Sequence, residues 1–322
     1  MQVIRALQAR DARVWEVAFV GRRRWRMSKW AVVVLALLLG MRPIVMHAYL
    51  FEACRPLHWL SRRWVVWAHG IEVWGRHGLR MSPNLGSAER VIAVSRFTSM
   101  QIRIDRPDLP VTVVHPCAMC DVPGTKSVAN CSNEIVTVAR LSTDEAYKGH
   151  DLTMEALGVL SRRGILVRYH IIGKGDRSEI DRLGMLARHL GIDDHVTIHG
   201  YLSDPEVSKI YSRSRAMVMP SQVIRREDSL WGGEGFGIVY VEAAMHGLPS
   251  IGCIEGGQTD IIIDGVTGRL VPPDPAALAN AIEELCDPVL SRQMGAEARR
   301  RAEAEFSFDR FRRSVWGALA QD

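Results

Sequence analysis

Residues 134–173 read EIVTVARLSTDEAYKGHDLTMEALGVLSRRGILVRYHIIG. An apolar run at Glu134–Ala139 is followed by a stretch of helical periodicity over Asp151–Arg163, and then by a second apolar run, Val167–Ile172, that ends at Gly173. Strand, helix and strand in that order predict a parallel pair with a crossover helix between them. The same grammar continues outward. Helices are expected at Ser178–Leu190 (closed by Gly191), Asp204–Ser214, Gly237–His246 and Ala276–Cys286. Strands are expected at His195–His199, at Ala216–Met219 before Pro220-Ser221, and at Pro249–Cys253. This alternation predicts an α/β domain with helices on both faces of a parallel sheet, whose ligands sit at the carboxyl ends of the strands.

Toward the N-terminus the pattern is sparser. It predicts helices at Gln2–Ala9 and Trp30–Leu39, and strands at Val14–Val20, Ile44–Ala48, Trp64–Ala68, Val91–Val94 and Val111–Val114. His115–Asn133 has no periodicity and reads as an interdomain linker. The expected organisation is an N-terminal domain over 1–120, a C-terminal domain over 121–305 and a terminal helix over 306–322. No solenoid-length repeat or low-complexity tract interrupts it.

A length of 322 residues suffices for two cores, and 47% apolar with 24% charged residues is ordinary for a globular protein. That composition excludes collagen-like, disordered and multispan membrane classes. The net charge of +5 is unevenly spread, with residues 1–106 contributing +12 and the remainder −7. The basic half fits an anionic bilayer, a lipid phosphate or nucleic acid, or else a solvated surface. Nucleic acid is set aside because no aromatic-basic platform or finger spacing accompanies the charge. The apolar run Trp30–Met41 after Arg22, Arg23, Arg24, Arg26 and Lys29 is too short to span a bilayer. It also begins too far from Met1 for a signal peptide, so it reads as a buried helix. Six cysteines, at 54, 117, 120, 131, 253 and 286, make no disulfide scaffold. The Cys117/Cys120 pair, with His115 and Cys131 nearby, lacks a second pair to complete a zinc site, and no metal is expected.

The chemistry concentrates in Glu234-Gly235-Phe236-Gly237-Ile238-Val239-Tyr240-Val241-Glu242. Glycines beside the first glutamate allow close backbone approach, and the helix N-terminus that follows suits a diphosphate. Glu234 and Glu242 could each grip a pair of vicinal hydroxyls, one on a sugar and one on a ribose; the plainer reading is two solvated glutamates. This stretch resembles the Glu-x7-Glu motif of the retaining family 4 glycosyltransferases, glycosyl transferase group 1. Arg140 and Lys148 resemble that family's diphosphate clamp, and Gly173-Lys174-Gly175 its glycine turn. Met219-Pro220-Ser221, Glu255-Gly256-Gly257 and Asp264-Gly265-Val266-Thr267-Gly268 follow in matching order, so the resemblance covers about 130–310.

The resemblance implies two Rossmann-like domains facing a cleft, the GT-B type. It implies a nucleotide-diphosphate sugar such as GDP-mannose or UDP-glucose as donor, and no cofactor. Arg140, Lys148 and the amides of Phe236, Gly237 and Ile238 would stabilise the departing diphosphate. Glu234 would hold the donor sugar, and Glu242 with Gly173 and Gly175 the nucleoside. Trp67-Ala68-His69-Gly70-Ile71-Glu72-Val73-Trp74 resembles the histidine loop of enzymes with lipid-linked acceptors. His69 would face the sugar, with Glu72 and Ser95 on the acceptor side; a structural histidine satisfied by backbone is the alternative. The insertion Gln222–Gly233 resembles that of GDP-mannose users, and UDP-glucose stays open beside it.

The chain begins where the family's first helix stands, so the first strand and glycine-rich loop of the N-terminal domain are missing from the expected pattern. A start site assigned too late is the favoured account, and an upstream stop codon would remove it. The expected activity is retaining hexosyl transfer to a lipid-linked or polysaccharide acceptor by a cytoplasmic protein, peripheral at the inner membrane face. A nucleotide-sugar-binding partner subunit is the alternative. A nicotinamide dehydrogenase is disfavoured because Gly173-Lys174-Gly175 lacks the third glycine and the following acidic strand end, and no GxxxxGK[ST] loop occurs.

Overall fold

The computed structural model of the chain describes residues 2–8, 34–35, 37–60, 63–74, 85–118, 133–226 and 229–320. The expected strand Val14–Val20, the Arg22–Lys29 basic cluster, Cys120, Cys131 and most of the linker lie outside the described residues, as does much of the helix at Trp30–Leu39. The chain divides into two compact units. One comprises Met1–Pro116, Arg225–Trp231 and Phe308–Asp322, and the other Cys117–Ile224 and Gly232–Ser307.

The first unit opens with helix α1 (Gln2–Gln8). Strand β1 (Ile44–Val45), helix α2 (Ala48–Ala53), strands β2 (Val65–Ala68) and β3 (Arg90–Ala93), helix α3 (Arg96–Asp105) and strand β4 (Val111–Val113) follow. The strands form a parallel sheet in sequence order, β1-β2-β3-β4. All four residues of β2 are buried, as parallel strands covered on both faces must be. The strand expected over Ile44–Ala48 stops at Val45. His47 adopts an extended conformation and caps α2, its Nδ1 accepting from the Tyr49 amide at 3.3 Å, so Ala48 is already helical.

The second unit carries β5 (Glu134–Val138), α4 (His150–Arg162), β6 (Arg168–Ile172), α5 (Arg177–His189), β7 (Val196–Gly200), α6 (Asp204–Tyr211) and β8 (Ala216–Val218). A two-stranded pair, β9 (Ile224–Arg226) and β10 (Ser229–Gly232), forms within the expected loop Gln222–Gly233, and most of it, Arg225–Trp231, groups with the first unit. Then come α7 (Ile238–Met245), β11 (Ser250–Cys253), β12 (Gly268–Val271), α8 (Pro275–Leu285) and α9 (Pro288–Glu305). The six-stranded sheet has the order β12-β11-β8-β5-β6-β7, every pair parallel. The chain winds outward from β5 to β7, then returns to β8 on the other side of β5 and winds outward again. Helix α6 ends three residues before the sequence pattern suggests. Ser212 and Ser214 donate their hydroxyls to the carbonyls of Lys209 and Ile210, both at 2.8 Å, and so close its last turn.

The last helix, α10 (Phe308–Ala320), belongs to the first unit. Its buried residues Phe311, Val315 and Ala318 fall at helical spacing, and it packs on α1, where Val3, Ala6 and Leu7 are buried. Trp316 Nε1 donates to the Ala6 carbonyl at 3.0 Å.

Candidate active site

In a doubly wound sheet the crevice opens where strand order reverses, here at the carboxyl ends of β5 and β8. The segment after β5 carries Arg140, then a short 3-10 helix over Thr143–Lys148, then Gly149 in the left-handed conformation at φ +82°. A side chain at Gly149 would place its Cβ 2.5 Å from the Pro220 carbonyl oxygen. Glycine therefore lets the Lys148 turn lie directly on the end of β8. Gln222 N–H donates to the Tyr147 carbonyl at 2.8 Å and ties the two ends together.

Lys148 Nζ lies 2.6 Å from Glu234 Oε2, and both side chains are largely buried, at 14% and 11% exposure. Burial works against the lysine's charge, but Glu234 and then Tyr147 outweigh it and leave the Lys148 pKa raised. Glu234 thus holds a fixed ammonium, and one N–H of that ammonium is spent on it. Arg140 is 79% exposed and pairs with Glu145, three residues before Lys148 in the same turn. The structure brings Lys148 and Glu234 into contact, and it does not bring Arg140 to them: that side chain is held by Glu145 instead.

Glu234 stands in a turn whose shape glycine dictates. Gly237 caps α7 at φ +89°, and a Cβ there would come 2.5 Å from the Tyr240 ring and 3.1 Å from Glu234 Cγ. Tyr240 is fully buried and donates its hydroxyl to the Met219 carbonyl, holding the first turn of α7 on the end of β8. Sequence reasoning passed over Tyr240. Its place one helical turn after Gly237 is the available signal. The Phe236 side chain is buried edge-on against Phe306 at 5.8 Å, so only its backbone can serve a ligand. Ile238 begins α7 directly after the Gly237 cap, and the amides of a helix's first turn have no partner within the helix.

Gly173 and Gly175 serve the packing of neighbouring turns. A Cβ would come 1.8 Å from the Ala139 carbonyl oxygen at Gly173 and 2.3 Å from Leu141 Cβ at Gly175. The turn after β6 consequently lies against the segment holding Arg140, with Leu141 N–H donating to the Lys174 carbonyl at 3.0 Å. Glu242 sits in the second turn of α7, half-buried. Burial first, and the Asp204 carboxylate second, push its pKa up to about 7. Beneath the Lys148 turn, Thr137 Oγ1, Tyr169 Oη and His150 Nδ1 form a buried chain at 2.8 and 3.2 Å. Burial drives the His150 pKa down to about 4. No sequence motif announced this chain. Cys117 is buried, and burial raises its thiol pKa to about 11.

In the first unit, His69 follows β2 and is exposed. Its Nε2 lies 2.9 Å from the Met46 carbonyl, which only accepts, so Nε2 carries the proton and Nδ1 is the ring's acceptor. The buried Glu72 carboxylate accepts the His69 backbone N–H, fixing the loop at Gly70. Ser95 is fully buried and caps α3, accepting from the Thr98 amide at 3.0 Å. Its hydroxyl is taken up by the cap, an assignment its position before a helix also allows.

Two parallel-sheet α/β units, one carrying a lysine–glutamate pair at the switch point of its sheet, are the architecture of the GT-B fold. Comparison with known proteins agrees. Residues 126–301 match the family model described as glycosyl transferases group 1, more than half of the chain, and the chain belongs to that family. Among relatives, a GDP-mannose-dependent alpha-(1-6)-phosphatidylinositol monomannoside mannosyltransferase of Mycolicibacterium smegmatis is 31% identical over 154 residues, covering 47% of this chain and 39% of the relative. A D-inositol 3-phosphate glycosyltransferase of the same organism is 31% identical over 207 residues, 62% of this chain and 44% of the relative. The matches thus span about two fifths of the length of these relatives. Among solved structures, sucrose-phosphate synthase from Thermosynechococcus elongatus superimposes with a TM-score of 0.73 at 19% identity, covering 95% of this chain and 80% of that one. HepE of Anabaena in complex with UDP-glucose gives 0.74 at 19% identity, covering 94% and 85%. At these identities the likeness concerns the fold.

Proposed function

We propose that this chain is a retaining hexosyltransferase that moves mannose or glucose from a nucleotide-diphosphate sugar to a lipid-linked or polysaccharide acceptor. The observation that carries the proposal is the Lys148–Glu234 pair at 2.6 Å, set in a glycine-shaped turn at the head of α7. An ammonium has three N–H donors, so Lys148 can pair with Glu234 while offering its other hydrogens to phosphate oxygens. Glu234 then accepts from donor-sugar hydroxyls. Arg140, leaving Glu145, joins Lys148 and the amides of Phe236, Gly237 and Ile238 on the departing diphosphate. Charge held in place before the reaction lowers the barrier most where it develops. Lys148 and Arg140 together supply the positive charge that a divalent metal would bring, so neither a metal nor a cofactor is invoked.

Glu242, Gly173 and Gly175 serve the nucleoside, His69 the sugar, and the segments carrying Glu72 and Ser95 the acceptor side. As the family resemblance implies for a retaining transfer, attack occurs on the face the leaving group vacates. The anomeric carbon–oxygen bond to phosphate breaks, the bond to the acceptor oxygen forms, and a phosphate oxygen takes the acceptor's proton. One relative is named for GDP-mannose and one structural neighbour was solved with UDP-glucose, which keeps both sugars in view.

Glu234→Ala is expected to lower kcat by about a hundredfold or more with the melting temperature preserved; undiminished turnover would remove the assignment. Stabilisation by GDP or UDP without any transfer or donor hydrolysis by the unaltered protein would select a nucleotide-sugar-binding partner subunit instead.

We further propose that the protein is cytoplasmic and meets an anionic membrane surface through its basic N-terminal half, with no nucleic-acid partner. That half exposes Trp59 at 80% and Leu38 at 75%. Among the described residues no helix is long and apolar enough to cross a membrane. Binding to phosphatidylserine vesicles should weaken steeply between 50 and 500 mM salt on the order of the Debye screening involved; indifference to vesicles at low salt would refute the membrane contact.

A further inference from the structure

The loop after β11 has Gly256 at φ +121° and Gly257 pressed on the Glu234 turn. Gly257 N–H donates to the Glu234 carbonyl at 2.7 Å, and a Cβ at Gly257 would lie 2.2 Å from the Gly235 carbonyl oxygen. This contact fixes the backbone from which the Glu234 carboxylate projects. The next residue, Gln258, is fully buried. Its Nε2 lies 3.1 Å from the Ser221 carbonyl, 3.0 Å from that of Cys253 and 2.6 Å from that of Glu255. Those carbonyls belong to the segment after β8, the last residue of β11 and the glycine loop itself. Ser221 directly follows Pro220, whose carbonyl touches Gly149 beside Lys148. One buried amide therefore joins the limb that supports Lys148 to the limb that holds Glu234. A buried carbonyl deprived of its donor is costly, so few other arrangements of these limbs are open while the amide is present.

We propose that Gln258 is a positioning residue that sets the spacing of Lys148 and Glu234 and thereby the grip on the donor sugar. This rests on the reading of Glu234 as the sugar-holding carboxylate, so the test separates the two.

Gln258→Met keeps the side chain's length and removes the amide. Wild type, Gln258→Met, Glu234→Ala and the double variant are titrated calorimetrically with GDP, GDP-mannose, UDP and UDP-glucose. The expected result is that Gln258→Met loses about tenfold in affinity for the sugar nucleotide that wild type binds, while affinity for the matching diphosphate stays within about threefold. Glu234→Ala shows the same selective loss, and the double variant loses no more than Glu234→Ala alone. A purely structural role would weaken sugar nucleotide and diphosphate together and would add to Glu234→Ala. Either of those outcomes, or sugar-nucleotide binding unchanged in Gln258→Met, overturns the positioning role. Failure of wild type to bind any of the four, or an unselective Glu234→Ala, overturns the donor reading itself. If Gln258→Met does not fold by thermal melting, Gln258→Asn, whose amide falls one carbon short, is put through the same comparisons.

Discussion

Glu242 titrates in the range where the protein would work, because burial and the neighbouring Asp204 hold its pKa near 7. The folded value lies above the unfolded one. The neutral form therefore contributes stability that is complete below about pH 4.5 and is lost as pH rises through about 7. A ribose whose hydroxyls donate to this group needs the ionised form. Nucleoside diphosphate affinity should thus rise about tenfold between pH 6 and pH 8 in the unaltered protein, following the ionised fraction of a group with that pKa. Glu242→Gln should bind more weakly and lose this pH dependence, and calorimetric titration at the two pH values checks it; an equal slope in both proteins would detach Glu242 from the nucleotide. Lys148 and Glu234 were legible in the sequence as residues through the motifs they resemble, and their pairing was not. Nor was what surrounds them. The pairing of Arg140 with Glu145, the capping duty of Ser95 and the carboxylate facing Glu242 depend on which segments the fold brings side by side.

At the scale of elements, the turn before α7 shows how far one glycine matters. Gly237 and Gly164 both have positive φ, +89° and +78°, so alanine is strained at either. Nothing lies within 4 Å of a Cβ at Gly164, whereas at Gly237 it would strike the Tyr240 ring at 2.5 Å. Gly164→Ala should cost about 1 kcal/mol, the backbone strain alone. Gly237→Ala should cost about 2 to 4 kcal/mol in chemical denaturation, since the ring is pinned by its hydroxyl and cannot yield. Equal losses in the two variants would show that the Tyr240 contact relaxes freely. From β5 to β11, and again at α8, the helices and strands of the second unit were legible to within a few residues because each apolar run is closed by glycine, proline or a cap, whereas β12 and α9 were not foreseen. Strand β1 was misjudged because Val45 and Ala48 look alike in hydropathy, while the capping geometry of His47 decides where extension ends. The pair β9–β10 was taken for a loop, since strands of three and four residues carry too little periodicity to register.

Over the whole molecule, the chain's two ends meet in one unit, and this could not be read from local pattern. A terminal helix was expected, but its destination depends on α1 offering an apolar face. Val3, Ala6 and Leu7 are buried where α10 packs on α1, Trp316 donates to Ala6, and Arg42 donates to the Leu319 carbonyl in the last turn. Phe311 also lies 6.2 Å from the Trp67 ring on β2, which precedes His69. The second unit has its own six-stranded sheet and a core of Ile135, Leu157, Tyr169, Val218, Ile251 and Leu278 that includes none of α10. Truncation after Ser307 should therefore act unequally. It exposes three apolar side chains of α1 and removes those of α10, a loss of several kcal/mol at about 25 cal/mol per Å². Backbone amides of β2 and β3 should exchange hydrogen markedly faster in the truncated chain, while those of β5 and β6 keep their protection. Loss of protection in both sheets together would mean that the two units unfold as one, and α10 would then stabilise the second unit as much as the unit it is built into.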